Sequence, residues 1–120
     1  MSAGLRHLGL GVTDIERSAR FYATWFGFDH APRQEYPDGT VFVRNVDGFD
    51  LALHKTTSGA GTLPEFFHFG FRATVPDEVR VVRGRMRAAG VEIFDEAEEP
   101  GLVSFKCLDP DGYPVEFYWE

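Results

Sequence analysis

The chain contains two copies of one sequence repeat. "HLGLGVTDIERSARFYATWFGF" begins at His7 and "HFGFRATVPDEVRVVRGRMRAAGV" begins at His68, and both start with histidine, an apolar residue, glycine and another apolar residue. The closing segments "DGFDLALH" (47–54) and "DGYPVEFY" (111–118) align without a gap. A unit of this kind cannot bury its hydrophobic face alone. The two halves should therefore pair, within one domain or across a dimer.

Each half predicts the element order βαβββ. In the first half, Thr13 and Glu16 form a capping box and Gly27 ends the helix. In the second half, the helix follows Pro76 and ends at Gly90. The apolar stripes are Ile15/Ala19/Tyr22/Phe26 and Val79/Val82/Met86/Ala89, and the arginines of the second helix are expected to face water. The remaining strands are predicted at about 28–35, 40–45 and 47–54, and at about 91–96, 102–107 and 111–118.

These elements predict an α+β fold in which two βαβββ modules form an eight-stranded open, cup-like sheet with helices on its outer face. At 120 residues the chain suits one domain. Module 1 is expected at about 4–55 and module 2 at about 65–120, with the linker "TTSGAGTLP" at 56–64. An open sheet leaves edges and aromatic surface to cover, so a homodimer is expected.

Composition and charge exclude several classes. The net charge of −7 and the pI of about 5.0 argue against binding to nucleic acid or to an anionic membrane surface. The single cysteine, Cys107, supports neither a disulfide framework nor a zinc-thiolate site within one chain. No stretch approaches the ~18 apolar residues that a membrane span needs, and the N-terminus does not read as a signal peptide. We expect a cytoplasmic protein.

The alternation of side chains along each strand separates an apolar face from a face with histidine and glycine. In the first strand, His7, Gly9 and Gly11 lie opposite the leucines and Val12. In the fifth strand, His68 and Gly70 lie opposite the phenylalanines. Glycine is a poor strand residue unless something must approach the backbone closely. The histidine-bearing face is therefore predicted to line an open cup.

The repeat brings three possible metal ligands to that face. His7 and His68 are equivalent positions, and Glu116 is equivalent to Ala52. Two imidazoles and one carboxylate, with a fourth position vacated, form a set that holds a divalent metal and leaves sites for substrate. A core histidine satisfied by one hydrogen bond is the plainer reading of His68 alone. The set is compatible with Fe, Mn, Ni or Zn, one ion per site.

These segments resemble the vicinal oxygen chelate superfamily, which includes glyoxalase I, extradiol dioxygenases, fosfomycin-resistance transferases and bleomycin-resistance proteins. "HLGLGVTDIERSARFYATWFGF", "HFGF" and "LDPDGYPVEFYW" look like its opening strand and helix, its fifth strand and its closing turn and strand. The resemblance implies a metalloenzyme whose metal is bound by His7, His68 and Glu116. The site would lie within one chain or be shared between swapped chains.

Departures from the family pattern reduce the number of reactions that the resemblance implies. Ala52 stands where glyoxalase I has its fourth ligand, and His54 would lie one strand repeat too far along to replace it. Gly9 stands where the fosfomycin enzymes carry threonine, and Lys106 where the extradiol enzymes carry tyrosine. The two hypotheses are a lyase, isomerase or dioxygenase acting on a small oxygenated substrate, and a drug- or metabolite-sequestering dimer. Glu116 is also assigned a catalytic role, and the candidate bases are Tyr118, His54 and Glu35.

Overall fold

The computed structural model describes residues 2–120 and contains two compact units, one ending at Gly61 and the other spanning Thr62–Glu120. Both have the predicted order βαβββ, so the α+β class and the duplicated module are confirmed; that the units form one domain stays a prediction. The first unit contains β1 (His7–Val12), α1 (Ile15–Phe26), β2 (Gln34–Glu35), β3 (Val41–Arg44) and β4 (Asp50–Lys55). The second contains β5 (Phe69–Arg72), α2 (Pro76–Ala88), β6 (Ile93–Glu99), β7 (Leu102–Leu108) and β8 (Pro114–Trp119).

The two sheets have the same topology. Their strand orders are β1-β4-β3-β2 and β5-β8-β7-β6. In each, the first and last strands of the module pair in parallel and the other pairs are antiparallel. A parallel pair needs a long crossover connection, and the helix of each module lies in that connection. No helix among residues 2–120 has the length and apolar character needed to cross a membrane.

The N-cap residue of α1 lies one position later in the chain than predicted. The Asp14 side chain accepts a hydrogen bond from the Arg17 amide at 3.0 Å, so Asp14 is the N-cap and the predicted Thr13 capping box is wrong. Thr13 instead accepts from the Arg17 guanidinium at 2.8 Å. Gly27 ends the helix in the left-handed region, at φ +71°, as predicted.

The predicted strand at 28–35 shrinks to two residues. Phe28 is buried and meets the Tyr22 ring edge-on, with centroids 6.0 Å apart. Its amide donates to the Tyr22 carbonyl, which ties this residue to the end of α1. Pro32 has no amide hydrogen to offer a sheet ladder. Gln34 and Glu35 form the strand pairing with β3, and His30 adds one backbone hydrogen bond to Arg44, so the predicted length of this strand is wrong.

The helix α2 packs on β7 and β8 through Val79 and Met86, which are fully buried. Pro76 occupies the first turn as predicted, since the missing amide hydrogen costs nothing there. Ala89 was placed on the buried stripe, but it caps the helix and is exposed. The left-handed Gly90 (φ +80°) follows and turns the chain toward β6.

Three arginines of α2 pair with acidic side chains of β6 and stay exposed or partly exposed, so the predicted solvated face also carries ion pairs. Arg80 and Arg83 both hydrogen-bond Glu98, the second at 3.0 Å, and Arg87 pairs with Glu96. The hydrogen bonds from Arg80 and then Arg83 lower the pKa of Glu98. Ion pairs therefore connect the exposed face of this helix to β6, the edge strand of its own sheet.

The turns before the two closing strands are built alike. Asn45 and Asp109 are buried, and each side chain accepts two backbone amides. The bonds are Asp47 N (3.1 Å) and Phe49 N (2.9 Å) to Asn45 Oδ1, and Asp111 N (2.9 Å) and Tyr113 N (2.9 Å) to Asp109 Oδ1. The glycine of each Asp-Gly pair takes a positive φ, +79° at Gly48 and +93° at Gly112, which glycine adopts at little cost.

Candidate functional site

The register of the two parallel strand pairs agrees with the alignment of the halves. Gly9 lies opposite Ala52 in the first unit, and Gly70 lies opposite Glu116 in the second. The closing strand thus presents Glu116 next to a glycine that leaves space above the sheet. The carboxylate is held on a rigid strand, where β8 is paired on both sides with β5 and β7.

The structure brings two of the three predicted ligands together in the second unit. His68 Nε2 lies 3.2 Å from Glu116 Oε2, and both side chains are partly exposed. His68 was expected within a strand, but it lies just before β5, after a turn at residues 65–66. The reason is local, because Phe66 takes a left-handed conformation (φ +66°) that is unusual for a bulky residue.

The Phe66 turn also orients the His68 ring. The Phe66 carbonyl lies 2.8 Å from His68 Nδ1. A carbonyl accepts hydrogen bonds only, so Nδ1 carries a proton and Nε2 of the neutral ring has a free lone pair. Metal-bound histidines commonly donate their second ring nitrogen to a carbonyl in this way. Sequence reasoning did not find this contact, because it depends on a backbone angle.

The pair fits a divalent metal. A lone pair and a carboxylate oxygen at 3.2 Å repel unless a cation or a proton lies between them. Two ligands on bonds of about 2.1 Å are about 3.0 Å apart at a right angle and about 3.4 Å apart at a tetrahedral angle. The observed separation falls within this interval. Nitrogen and carboxylate donors suit several first-row divalent ions.

A cavity of about 360 Å³ opens at this pair. Tyr118 lies in its wall, two residues beyond Glu116 on the same strand face. Gly70 leaves room for both, since a Cβ at this position would stand 3.2 Å from Tyr118 Cε1 and 3.4 Å from Glu116 Cβ. The other lining residues are Phe69, Leu102 and Glu120. Of the candidate bases, Tyr118 is the one in the same cavity as the metal pair.

The strand next to Glu116 carries a lysine that pairs with a different carboxylate. Lys106 on β7 is the cross-strand partner of Glu116, and cross-strand partners point to the same face. Its ammonium lies 3.1 Å from the Asp95 carboxylate, and its side chain is 19% exposed. Asp95 is the second non-glycine residue with a positive φ, +48°, at a register shift of β6.

The third predicted ligand, His7, begins β1 in the first unit and is exposed. Its partner across the sheet is Asp50, whose carboxylate accepts two hydrogen bonds from Arg44, at 2.8 and 2.9 Å. These bonds, more than the nearby His7, lower the pKa of Asp50. Among residues 2–120, no three His, Cys, Asp or Glu side chains are grouped as a metal site. The assignment of His7 as a ligand stays a prediction.

The remaining candidate bases lie in the first unit. His54 is on β4, and its Nδ1 is 3.0 Å from the Thr40 hydroxyl. Glu35 is exposed on the short edge strand β2. Thr40 is buried and was not singled out from sequence, although an acidic residue two positions before a threonine is a turn signal that points to it.

Cys107 is buried on β7. Burial, and then the charge of Asp109, raises the pKa of this thiol to about 12. A buried thiol with so high a pKa is a poor nucleophile and a poor ligand. The chain's one cysteine therefore takes no part in the site.

Two curated relatives match most of the chain. The trivalent organoarsenical cleaving enzyme of Bacillus sp. (strain MD1) is 29% identical, covering 94% of this chain and 71% of that protein. An uncharacterized protein of Pseudomonas aeruginosa is 30% identical, covering 98% of this chain and 89% of that protein.

Solved structures show the same fold. The fosfomycin resistance protein FosX of Listeria monocytogenes, solved with Mn(II) and sulfate, superposes with a TM-score of 0.79 at 21% identity, over 99% of this chain and 91% of that chain. The model of the Glyoxalase/Bleomycin resistance protein/Dioxygenase superfamily matches residues 4–117. The chain therefore belongs to the glyoxalase/bleomycin resistance protein/dioxygenase superfamily, the vicinal oxygen chelate proteins.

Proposed function

We propose that the protein is a divalent-metal-dependent enzyme that acts on a small substrate bound through two neighbouring oxygens. The observation that carries this proposal is the His68–Glu116 pair, in which imidazole Nε2 lies 3.2 Å from a carboxylate oxygen while Nδ1 faces the Phe66 carbonyl. Relatives that are named as enzymes, and the Mn(II) bound to FosX, support a metalloenzyme. Lyase, isomerase and dioxygenase chemistry are all open to such a site.

We assign His68 and Glu116 as two ligands and His7 as the third, from the same chain or as His7 of the partner subunit. A metal bound there would polarise neighbouring substrate oxygens and stabilise the negative charge that develops on them. Glu116 has a second carboxylate oxygen and stands next to the open cavity, so it can also accept a proton from the substrate. We further propose a cytoplasmic homodimer.

Tyr118 is the group best placed to handle the developing charge. It shares the cavity with the metal pair and can donate or accept a proton through its hydroxyl. A metal held by His68 and Glu116 would supply positive charge at the same place. The site therefore favours a substrate whose reacting oxygens become anionic.

The organoarsenical reaction of the Bacillus relative is not the activity that we propose. A trivalent arsenic centre is a soft acceptor, and thiolates are the soft ligands of proteins. This chain has one cysteine, and its thiol is buried with the pKa raised to about 12. The residues that this chain offers instead are nitrogen and oxygen donors, which suit an oxygenated substrate.

The test is the metal content of untagged protein purified without chelator, measured beside His68→Ala and His30→Gln, a histidine outside the site. We expect about one equivalent of a transition metal per site in the wild type and in His30→Gln, and its loss in His68→Ala. Mixed dimers of His7→Ala and His68→Ala chains locate the third ligand. They recover about half of the sites if these are shared between subunits, and none if each site lies within one chain.

A second candidate, a sequestering protein without turnover, is favoured by a separate aromatic cavity in the first unit. Sequestration needs no metal. Protein that neither contains a metal nor takes one up from added Fe(II), Mn(II), Ni(II) or Zn(II) would exclude the enzyme and leave this candidate.

A further inference from the structure

The position of the Lys106 ammonium depends on a choice between two carboxylates. Glu116 is the residue directly opposite Lys106 on β8, and both point to the same face of the sheet. Opposed residues have Cβ atoms about 4.5–5.5 Å apart, so the flexible stem of a lysine lets its ammonium reach the carboxylate of its partner. The ammonium lies instead 3.1 Å from the carboxylate of Asp95 on β6. Asp95 therefore takes an ion pair that the strand register offers to Glu116.

A β-bulge brings Asp95 to this position. The register of β6 with β7 runs from Phe94 opposite Lys106 to Ala97 opposite Ser104, which leaves two residues of β6 against one of β7. Asp95 is the first of these two residues and has a left-handed backbone, at φ +48°. In a regular strand its side chain would point away from the face of Phe94 and Lys106. Bulges redirect side chains, and this one directs a carboxylate to the lysine.

Lys106 needs an anionic partner on this face. Its side chain is 19% exposed, and an ammonium that is mostly withdrawn from water is costly unless it is paired. Without the Asp95 charge, the carboxylates left beside it are Glu116 on the opposing strand and Glu65, which lines the same small cavity and is exposed. The Glu116 side chain is 25% exposed. Because exposed ion pairs contribute little, Glu116 is the stronger of the two alternatives.

An ammonium on Glu116 would oppose a metal at the same carboxylate. Its N–H groups would occupy oxygen lone pairs that a metal ion uses, and its charge has the same sign as that of the metal. His68 Nε2 lies 3.2 Å from Glu116 Oε2, so both cations would compete beside the same histidine. A lysine next to this ligand is therefore compatible with metal binding only if another anion holds it.

We propose that Asp95 is a positioning residue of the metal site, which holds the Lys106 ammonium away from Glu116 and so keeps the Glu116 carboxylate free to bind metal together with His68. The inference rests on the proposed function. The exchange of ion pairs is nevertheless a property of the metal-free chain and is measured there, so its failure and the failure of the proposed metal site are distinguishable.

The first experiment measures the coupling between Lys106 and Glu116 in metal-free, full-length protein. Lys106→Met and Glu116→Gln are made singly and together, with Asp95 in place and in an Asp95→Asn background, and all are unfolded in urea. Asparagine tolerates the left-handed backbone, so the bulge is retained. We expect a coupling close to unity with Asp95 present. In the Asp95→Asn background it should rise to about two- to fivefold in the unfolding equilibrium constant, the size of a partly exposed ion pair.

The second experiment measures Zn(II) affinity by titration. Asp95→Asn should weaken binding about fivefold, because the metal must displace an ion pair. Asp95→Asn combined with Lys106→Met should bind within about twofold of the wild type, since the competing ammonium is gone. Glu96→Gln is the matched control: it removes a carboxylate from the next residue of β6, one that pairs with Arg83 and Arg87 of α2. Its affinity should equal that of the wild type.

Three results would overturn the proposal. The first is a Lys106–Glu116 coupling that is the same with and without the Asp95 charge, as expected if the lysine turns to Glu65 or to water. The second is a loss of Zn(II) affinity in Asp95→Asn that Lys106→Met does not reverse. The third is an equal loss in Glu96→Gln, because any negative charge on β6 would then have the same effect.

Discussion

The two halves of the molecule have the same backbone and different open faces. Both place a glycine opposite the middle of the closing strand and both anchor the preceding turn with one side-chain oxygen. The residues at equivalent positions are Gly9, Ala52 and His54 in the first half and Gly70, Glu116 and Tyr118 in the second. The repeat therefore preserves strand register and turn geometry, and the chemistry differs through two side chains of the closing strand.

Exchanging the carboxylate between the halves is expected to give the largest effect. Glu116→Ala removes a ligand and should weaken metal binding at least about 100-fold, since loss of an outer-shell partner alone costs 10- to 100-fold. Its effect on the free energy of unfolding should stay within about 1 kcal/mol, because this side chain is partly exposed and lines a cavity. Metal titration and denaturant unfolding measure the two quantities.

Ala52→Glu is the matched variant in the first half. Ala52 is 2% exposed, so a charged side chain there should cost several kcal/mol of stability without creating a metal site. Equal stability losses in the two variants would contradict the comparison between the halves.

Removing the side chain that anchors each turn should lower the stability of the two halves by more similar amounts. Asp109→Ala removes two charge-assisted hydrogen bonds at a buried position, and we expect a loss of about 3 kcal/mol. Asn45→Ala removes two neutral ones and should cost about 2 kcal/mol. Urea unfolding of both variants gives the difference, and a larger loss for Asn45→Ala would show that charge is not what distinguishes the two turns.

The two glycines test how closely each half is packed over its sheet. A methyl group at Gly70 would lie 3.2 Å from the Tyr118 ring, so Gly70→Ala should displace Tyr118 or Glu116 and weaken metal binding severalfold. At Gly9 the nearest atom is 3.5 Å away, and Gly9→Ala should stabilise the fold by up to about 0.5 kcal/mol. Unchanged metal affinity in Gly70→Ala would show that the space left by this glycine is not needed for metal binding.

Acid unfolding should show a small contribution from Asp50 that the equivalent position in the second half, Pro114, cannot make. Hydrogen bonds from Arg44 lower the pKa of Asp50, whereas the equivalent pair in the second half is Leu108 and Pro114. A carboxyl with a lowered pKa contributes stability above its unfolded pKa of about 3.9, and this contribution is lost as the pH falls through the folded value. Asp50→Asn should therefore be less stable than the wild type at pH 6, and the difference should shrink as the pH falls below 4.

The features that were predictable from the sequence are the ones that depend on pattern. The repeated histidine–glycine opening and the ungapped closing segments predicted the equivalence of the two halves, and the matching registers of β1 with β4 and of β5 with β8 agree with it. The same alternation placed Glu116 and Tyr118 on one face, where the structure has them. Patterns of this kind survive because a slip of one residue would expose a whole buried face.

The errors came from single backbone and side-chain choices. Asp14 rather than Thr13 caps α1, because both can accept a hydrogen bond and tertiary geometry selects one. The left-handed Phe66 removes His68 from the strand, although a phenylalanine in this position gives no signal in the sequence. The contact between His54 Nδ1 and the Thr40 hydroxyl, at 3.0 Å, exists only once the turn before β3 has formed.

The buried thiol of Cys107 has a practical consequence. With a pKa of about 12, only about one molecule in ten thousand carries a thiolate at pH 8, and the sulfur has no exposed surface. Alkylating reagents should not modify this residue, so the unsubstituted chain serves as a cysteine-free background for labelling. A single cysteine introduced at the exposed Val46 and another at Phe66 would accept a pair of spin labels, one in each half, and the distance between them would distinguish a closed chain from exchanged halves.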